Sequence, residues 1–381
     1  MSNPGRPSIS VFAVEDTTVQ LTWRDLPPGP LRLTVPGTEA ELALEADGGP
    51  GAAVLDGLPP GSDLRVVADQ HGQRRELAVR TLDALPGDEL VRVATIGDLH
   101  LGTHAFGQRG TIREVPAPEV AHPVRCAEAA VDEAAAWGAT HLFAKGDLTN
   151  HGQPEEWRQY ARLVAGSPLP IDAVPGNHDR AHRAHRPGLL PEEAARAFGV
   201  SVASPISVRD LPGLRVVLVD TSIGSRNLGQ VAAVADDVVQ AAAEAGRERA
   251  VLVALHHQLQ AHLLPEGWPR GVGHRESSDL LARLGAVHPG VLVTSGHTHR
   301  HRRWDHGGAT ATQVGSTKDF PGVWAGYVVH EGGIRQVVRR VGRPDCLRWT
   351  DHTRRAALGA WRWVAPGTLG ARCFARTWPT S

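Results

Sequence analysis

The sequence predicts an α/β protein with a small all-β sandwich in front of it. Three observations predict this. Up to about Pro86, short runs alternating apolar and polar residues are separated by Gly/Pro clusters, as in antiparallel strands with one face in a core. From Glu89 the rhythm changes to continuous apolar runs separated by helical stretches, the pattern of strands covered on both faces. The apolar runs of this second part then end, one after another, in Asp, Asn or His, at the strand ends where such sheets place their sites.

In the first part, Val19-Gln20-Leu21-Thr22-Trp23 and Leu31-Arg32-Leu33-Thr34-Val35 alternate, and 40–44, 64–68 and 76–80 are shorter candidates. Pro27-Pro28-Gly29-Pro30, Gly48-Gly49-Pro50-Gly51 and Pro59-Pro60-Gly61 punctuate them, and Trp23 is the expected core residue. The pattern is similar to a fibronectin type III or immunoglobulin-like module. It carries no visible chemistry, so residues 1–87 read as a structural or partner-docking module ending in the linker Leu85-Pro86-Gly87-Asp88.

A catalytic domain is expected over 88–340. Strand 91–96 leads through a long loop to a helix near 124–137. Strand 141–145 precedes a helix at 154–164 that a proline opens. Strand 170–174 precedes a helix near 191–198. Strand 214–219 precedes an Ala/Val-rich helix near 230–244. Strand 250–255 precedes a helix near 277–284, and 291–294 closes the series. After His299, the runs 310–314, 326–329 and 333–338 suggest an antiparallel second sheet. The tail, 341–381, carries Trp349, Trp361, Trp363, Phe374 and Trp378, with one short helix expected over 353–363. It is read as packing onto the body or onto a second subunit, which leaves a homodimer open.

Composition narrows the function. The chain has 381 residues, 40 Lys plus Arg and 41 Asp plus Glu, so no basic excess favours nucleic acid. No apolar run approaches the roughly 20 residues that span a bilayer, and the first residues lack the apolar stretch of a secretory leader. Three scattered cysteines suit a reducing, cytoplasmic setting better than a disulfide framework. Twenty histidines stand against 6 Phe and 2 Tyr, and histidine is the commonest metal ligand.

The strand-end residues carry the chemistry. Gly97-Asp98-Leu99-His100 follows the first strand, and Gly146-Asp147-Leu148-Thr149-Asn150-His151 the second. Gly176-Asn177-His178-Asp179 follows the third, Asp220 the fourth, His256-His257 the fifth and Gly296-His297-Thr298-His299 the sixth. In an extended strand Asp98 and His100 would point the same way. Two cations about 3.5–4 Å apart can clamp the attacking and leaving oxygens of an in-line displacement. Such a pair needs one bridging carboxylate, and Asp147 stands between the two groups of ligands. A water shared by two cations becomes hydroxide near neutral pH. The glycines before Asp98, Asp147, Asn177 and His297 would let the backbone turn into the site.

This motif set resembles the calcineurin-like metallophosphoesterase superfamily over about 90–335, nearest to class III cyclic nucleotide phosphodiesterases. The resemblance implies a four-layer αββα sandwich with a binuclear centre of Mn, Fe, Zn or Co. Asp98, His100, Asp147 and His299 would hold one ion. Asp147, Asn177, His256 and His297 would hold the other. His178 matches the histidine that meets the scissile phosphate. The implied reaction is attack by a metal-bridging hydroxide on a small phosphodiester. A phosphomonoesterase and an inactive metal-binding scaffold are the alternatives. Purple acid phosphatases also combine a front β-module with this fold. They carry a tyrosine shortly after the second-motif aspartate, where this chain reads Leu148-Thr149-Asn150, and they lack an equivalent of His100. No purple tyrosinate–iron centre is expected.

Several residues keep two readings. One of His256 and His257 must point away, and the resemblance favours His256. Asn150 and His151 either contact substrate or cap the following helix. Asp179 and Asp220 read as supporting or turn residues, and His301 as part of a solvated turn with its arginine neighbours. The loop 101–122, with Phe106, Arg109, Arg113 and Glu114, suits a pocket wall. Lys318 either neutralises phosphate or belongs to a turn.

Overall fold

The computed structural model describes residues 7–107, 110–180, 188–224, 226–263 and 269–379; Arg109 lies outside them. Seven strands come first: β1 (Ser8–Val14), β2 (Val19–Arg24), β3 (Gly29–Thr34), β4 (Glu41–Ala46), β5 (Gly51–Leu55), β6 (Asp63–Gln70) and β7 (Gln73–Arg80). They form two antiparallel sheets, β1-β2-β5 and β4-β3-β6-β7. Alternation puts Leu21, Trp23, Leu31, Leu33 and Val66 into one core between them. Gly51 is indispensable there, because a Cβ on it would lie 2.1 Å from the Trp23 ring.

The remaining chain builds two larger sheets. The first contains parallel strands β8 (Glu89–Ile96), β11 (His141–Lys145), β12 (Ile171–Val174) and β13 (Ser201–Val202). A two-residue hairpin, β9 (Ala105–Phe106) with β10 (Ile112–Arg113), interrupts the long loop after β8. The second sheet contains β14 (Ile206–Leu211), β15 (Leu214–Val219), β16 (Ala250–Leu255), β17 (Val291–Ser295), β18 (Arg302–His306) and β19 (Ala309–Gln313), in the order β14-β15-β16-β17-β19-β18. Strands β20 (Val323–His330), β21 (Gly333–Arg340) and β22 (Phe374–Thr377) complete the first sheet, whose order is β13-β12-β11-β8-β20-β21-β22.

The antiparallel sheet expected after His299 is therefore divided. β19 runs parallel to β17 in one sheet, while β20 pairs antiparallel with β8 in the other. Hydrophobicity marks such strands but does not say which edge each one joins.

The two sheets face each other across a core that includes Val93, Phe143, Val216, Leu252 and Tyr327. Helices α1 (His122–Ala136), α2 (Pro154–Gly166) and α3 (Pro191–Phe198) cover the first sheet. Helices α4 (Ala235–Ala243) and α5 (His274–Val287) cover the second. The result is four layers, αββα. The stretch before Ala235, expected to begin α4, is turn.

In the tail, α6 (Pro344–Thr353) precedes the stretch expected to be helical. That stretch breaks at Ala357 and Leu358, whose φ values are 50° and 56°, before the short helix α7 (Trp361–Val364). A further short helix, α8 (Leu369–Arg372), leads into β22. Among the described residues no helix is long and apolar enough to cross a membrane.

Candidate metal centre

The parallel strands β8, β11 and β12 of one sheet and β16 and β17 of the other deliver their C-terminal ends to one place. Asp98 and His100 follow β8, Asp147 follows β11, and Asn177 and His178 follow β12. His256 directly follows β16, and His297 and His299 follow β17. Local conformation differs from the extended one expected. Asp98, His100, Asp147, His297 and His299 all have positive φ, between 47° and 69°. Each such non-glycine residue costs about 1 kcal/mol or more, and the neighbouring loops must impose it.

They do so by interlocking. Asp98 N–H donates to Gly146 O, His100 N–H to Asp147 O and Gly296 N–H to His256 O, at 3.0, 2.8 and 3.0 Å. Of the four glycines that precede the motifs, only Gly146 turns with positive φ, at 77°. Gly176 and Gly296 serve close approach instead. A Cβ on them would lie 2.3 Å from Asp147 Oδ1 and 2.4 Å from Asp98 Oδ2.

Hydrogen bonds on the outer side of three of the four rings decide what those rings turn inward. A carbonyl can only accept, so His256 Nδ1 must donate to Lys145 O (2.8 Å) and His297 Nε2 to Arg270 O (3.2 Å). His299 Nδ1 donates to the Asp319 carboxylate at 2.7 Å. Asn177 Nδ2 donates to Asn227 Oδ1 at 3.3 Å. Lone pairs are thereby turned into the centre.

On one side, His256 Nε2 lies 3.1 Å from His297 Nδ1, 3.2 Å from Asn177 Oδ1 and 3.4 Å from Asp147 Oδ1. On the other, His100 Nε2 lies 3.3 Å from His299 Nε2 and 3.5 Å from Asp147 Oδ2, and His299 Nε2 lies 3.3 Å from Asp98 Oδ1. Buried acceptors pointed at one another repel unless positive charge lies between them. This donor set fits divalent cations of the first transition row.

The carboxylates draw positive charge into the nest, pulling two of its rings towards the protonated form while the other two stay neutral. Burial depresses all four histidines. At His256, Asp147 outweighs burial and raises the ring to about 9. At His299, Asp319 and Asp98 outweigh it and raise the ring to about 10. His297, beside His256, is pushed down to about 3, and His100 lies well below the usual range.

The other candidates divide. His178 lines the cleft; its N–H donates to Asp147 Oδ1 and its Nδ1 to Asn150 O, both at 2.8 Å. Asn150 and Lys318 also line the cleft. His151 is absent from the lining, and its N–H donates to Glu156 Oε2 (2.8 Å) at the start of α2. Asp179 accepts from Leu148, Thr149 and Gly176 amides and so ties the second motif to the third. Asp220 accepts from Arg180 and Ser222.

His257 has a ring nitrogen within 4.8 Å of those of His256 and His297, and its Nδ1 faces Thr221 Oγ1 at 2.8 Å. His301 is fully buried rather than on a solvated turn. Arg302, next to it, opens the edge strand β18, whose arginines left no apolar signal. Sequence reasoning missed Asp319, Asn227 and Arg270, which orient His299, Asn177 and His297. Only Asp319, beside Lys318, had a signal that could have flagged it.

The cleft has a volume of about 570 Å³. A two-sheet α/β body with a nest of Asp, Asn and His donors at its strand ends could hold metal ions there. A family model described as calcineurin-like phosphoesterase matches residues 91–301, more than half of the chain, and the protein belongs to that family. The family uses divalent metals.

A 3′,5′-cyclic adenosine monophosphate phosphodiesterase, CpdA, of Pseudomonas aeruginosa is 27% identical over 161 residues, 42% of this chain and 54% of that protein. A protein described as a probable cyclic nucleotide phosphodiesterase of Rhodococcus erythropolis is 30% identical over 120 residues, 30% of this chain and 38% of that protein. The chain thus spans about half the first relative and less of the second. The solved structure of PhoD is 10% identical at a TM-score of 0.44, covering 86% of this chain and 85% of PhoD.

Proposed function

We propose that this protein is a binuclear metal-dependent phosphodiesterase acting on small diesters, cyclic nucleotides among them. One observation carries the reading: the two oxygens of Asp147 each face a separate set of inward lone pairs, Asn177, His256 and His297 on one side and Asp98, His100 and His299 on the other. Two cations held there would acidify a water and offset charge on the phosphoryl oxygens.

The chain's own groups do the rest. Asp319 and the carbonyls of Lys145 and Arg270 hold the rings in one tautomer. His178 is fixed through Nδ1 by Asn150 O and turns Nε2 to the departing oxygen; as an imidazolium, with both ring nitrogens protonated, it would give that oxygen a proton, and as the neutral ring it would only orient it. Asn150 and Lys318 contact substrate from the cleft wall. Diester preference is supported by the likeness to two proteins described as phosphodiesterases. In this reading 1–87 is a β-sandwich module, 88–340 the catalytic domain and 341–381 a tail that completes the wall. Three buried free cysteines support a reducing, cytoplasmic setting.

The test is turnover of bis-p-nitrophenyl phosphate against p-nitrophenyl phosphate, after metal removal and reloading with Mn, Zn, Fe or Co. Faster diester cleavage, lost in Asp147→Asn, is expected. Faster monoester cleavage would make the protein a phosphatase, and full metal loading without turnover of either would make it a binding scaffold. His178→Ala should retain both metals by elemental analysis while kcat falls about 10²- to 10⁴-fold.

A further inference from the structure

The cleft has an aromatic side that the proposed chemistry does not use. Phe106, from the loop after β8, stacks on His299 with ring centroids 6.2 Å apart and planes 18° apart. Trp361 stands 5.8 Å beyond Phe106 and also lines the cleft. It comes from the tail, outside the residues that the family model matches. Its ring is pinned: Nε1 donates to Phe320 O at 3.1 Å, and the Arg300 guanidinium lies 5.4 Å over it. Lys318, near the same wall, has its Nζ 4.9 Å from the Phe106 ring centre and 3.5 Å from Asp319.

We propose that Trp361 and Phe106 determine specificity by receiving a flat aromatic group of the ester, so that the preferred diester carries a heteroaromatic base. The proposal rests on the diesterase reading of the same site. The wall runs outward from His299, so a phosphate at the acceptor nest places its ester group alongside it. A flat ring would gain stacking from a surface already held in place, with little ordering cost. A glycerol-type group would gain none of this.

The test compares 3′,5′-cyclic AMP with glycerophosphoethanolamine in the metal-loaded wild type, Trp361→Ala and Trp361→Phe. The ratio of their kcat/KM values should fall about tenfold in Trp361→Ala, through KM, and largely recover in Trp361→Phe. Calorimetric titration with AMP and with inorganic phosphate gives a readout independent of turnover, and Trp361→Ala should weaken AMP relative to phosphate by a similar factor. An unchanged ratio in both experiments, or equal loss of both ligands, would overturn the proposal while leaving the diesterase reading intact. A wild type that binds AMP no better than phosphate would overturn the proposal, and one that also fails to cleave bis-p-nitrophenyl phosphate would remove the diesterase reading with it.

Discussion

Asp319 does for His299 what the Lys145 and Arg270 carbonyls do for His256 and His297: it takes the outer N–H and turns a lone pair inward. As a carboxylate it also makes that ring a stronger donor. Asp319→Asn can present its amide N–H₂ to Nδ1 and reverse the tautomer. Metal affinity at the His299 side should fall about 10- to 100-fold, read by competition with a chromogenic chelator. Affinity within twofold of wild type would show that the ring is held by packing instead.

His122 is a different case. It is fully buried at the start of α1, stacked 3.8 Å from Trp349, and burial pushes it down to about 4 despite Glu114. Its folded value lies below its unfolded one, so its contribution is complete above about pH 6.5 and is lost as pH falls towards 4. At pH 5 that loss amounts to about 2 kcal/mol. Urea titrations at pH 7 and pH 5 should show a smaller acid loss in His122→Gln than in the wild type. Equal losses would assign acid sensitivity to other groups.

At the scale of elements, the centre depends on loops crossing at contact distance. Gly296, between β17 and His297, leaves no room for a side chain against Asp98 Oδ2. Gly296→Ala should displace that carboxylate or strain both loops, costing about 1–3 kcal/mol and reducing metal stoichiometry. A variant with wild-type melting and full loading would mean that the loops can part without loss. Elements with a strong signal were legible: Ala250–Leu255 runs apolar throughout, and Leu214–Val219 does so apart from Arg215, because both faces are covered. Of those that were missed, β1 carries a clear apolar signal in Val11, Phe12, Ala13 and Val14, and two others carry less. β18 is an edge strand of arginines and histidine, and β5 begins in a Gly/Pro cluster that reads as a turn. Each exists because a partner strand supplies its hydrogen bonds.

At the scale of the whole molecule, the N-terminal sandwich is locked to β21 by polar groups. Arg335, 2% exposed at its side chain, pairs with Asp16 at 2.5 and 2.8 Å. Arg339 pairs with Glu15, and Gln20 bonds the backbone of Arg340 in both directions, each at 2.8 Å. Asp16→Ala leaves a buried guanidinium without its partner. The expected cost is about 2 kcal/mol, below the ~3–5 of a fully buried pair, since a fifth of the Asp16 side chain meets water. Calorimetry should show a lower melting temperature and one transition. Two separated transitions in the wild type would show that sandwich and body fold independently.

The sequence by itself determined the alternation of strands and helices in the body, the front all-β region and the motifs at its strand ends, because these follow from local periodicity and residue type; the four layers were implied only by the resemblance those motifs carry. Asp98, His100, Asp147, Asn177, His297 and His299 were legible from their positions after apolar runs, whereas the preference for His256 over His257 and the part given to His178 came from the resemblance. Only the tertiary structure decided how they meet. The expected alternation of Asp98 and His100 gave way to left-handed turns held by hydrogen bonds from other loops. The residues that aim the donors, Asp319, Asn227 and Arg270, are far along the chain from the groups they orient. The tryptophan that walls the cleft, Trp361, lies more than fifty residues beyond the last motif histidine, His299. Such contacts join segments with no shared period, and only the closing of the two sheets brings them within bonding distance.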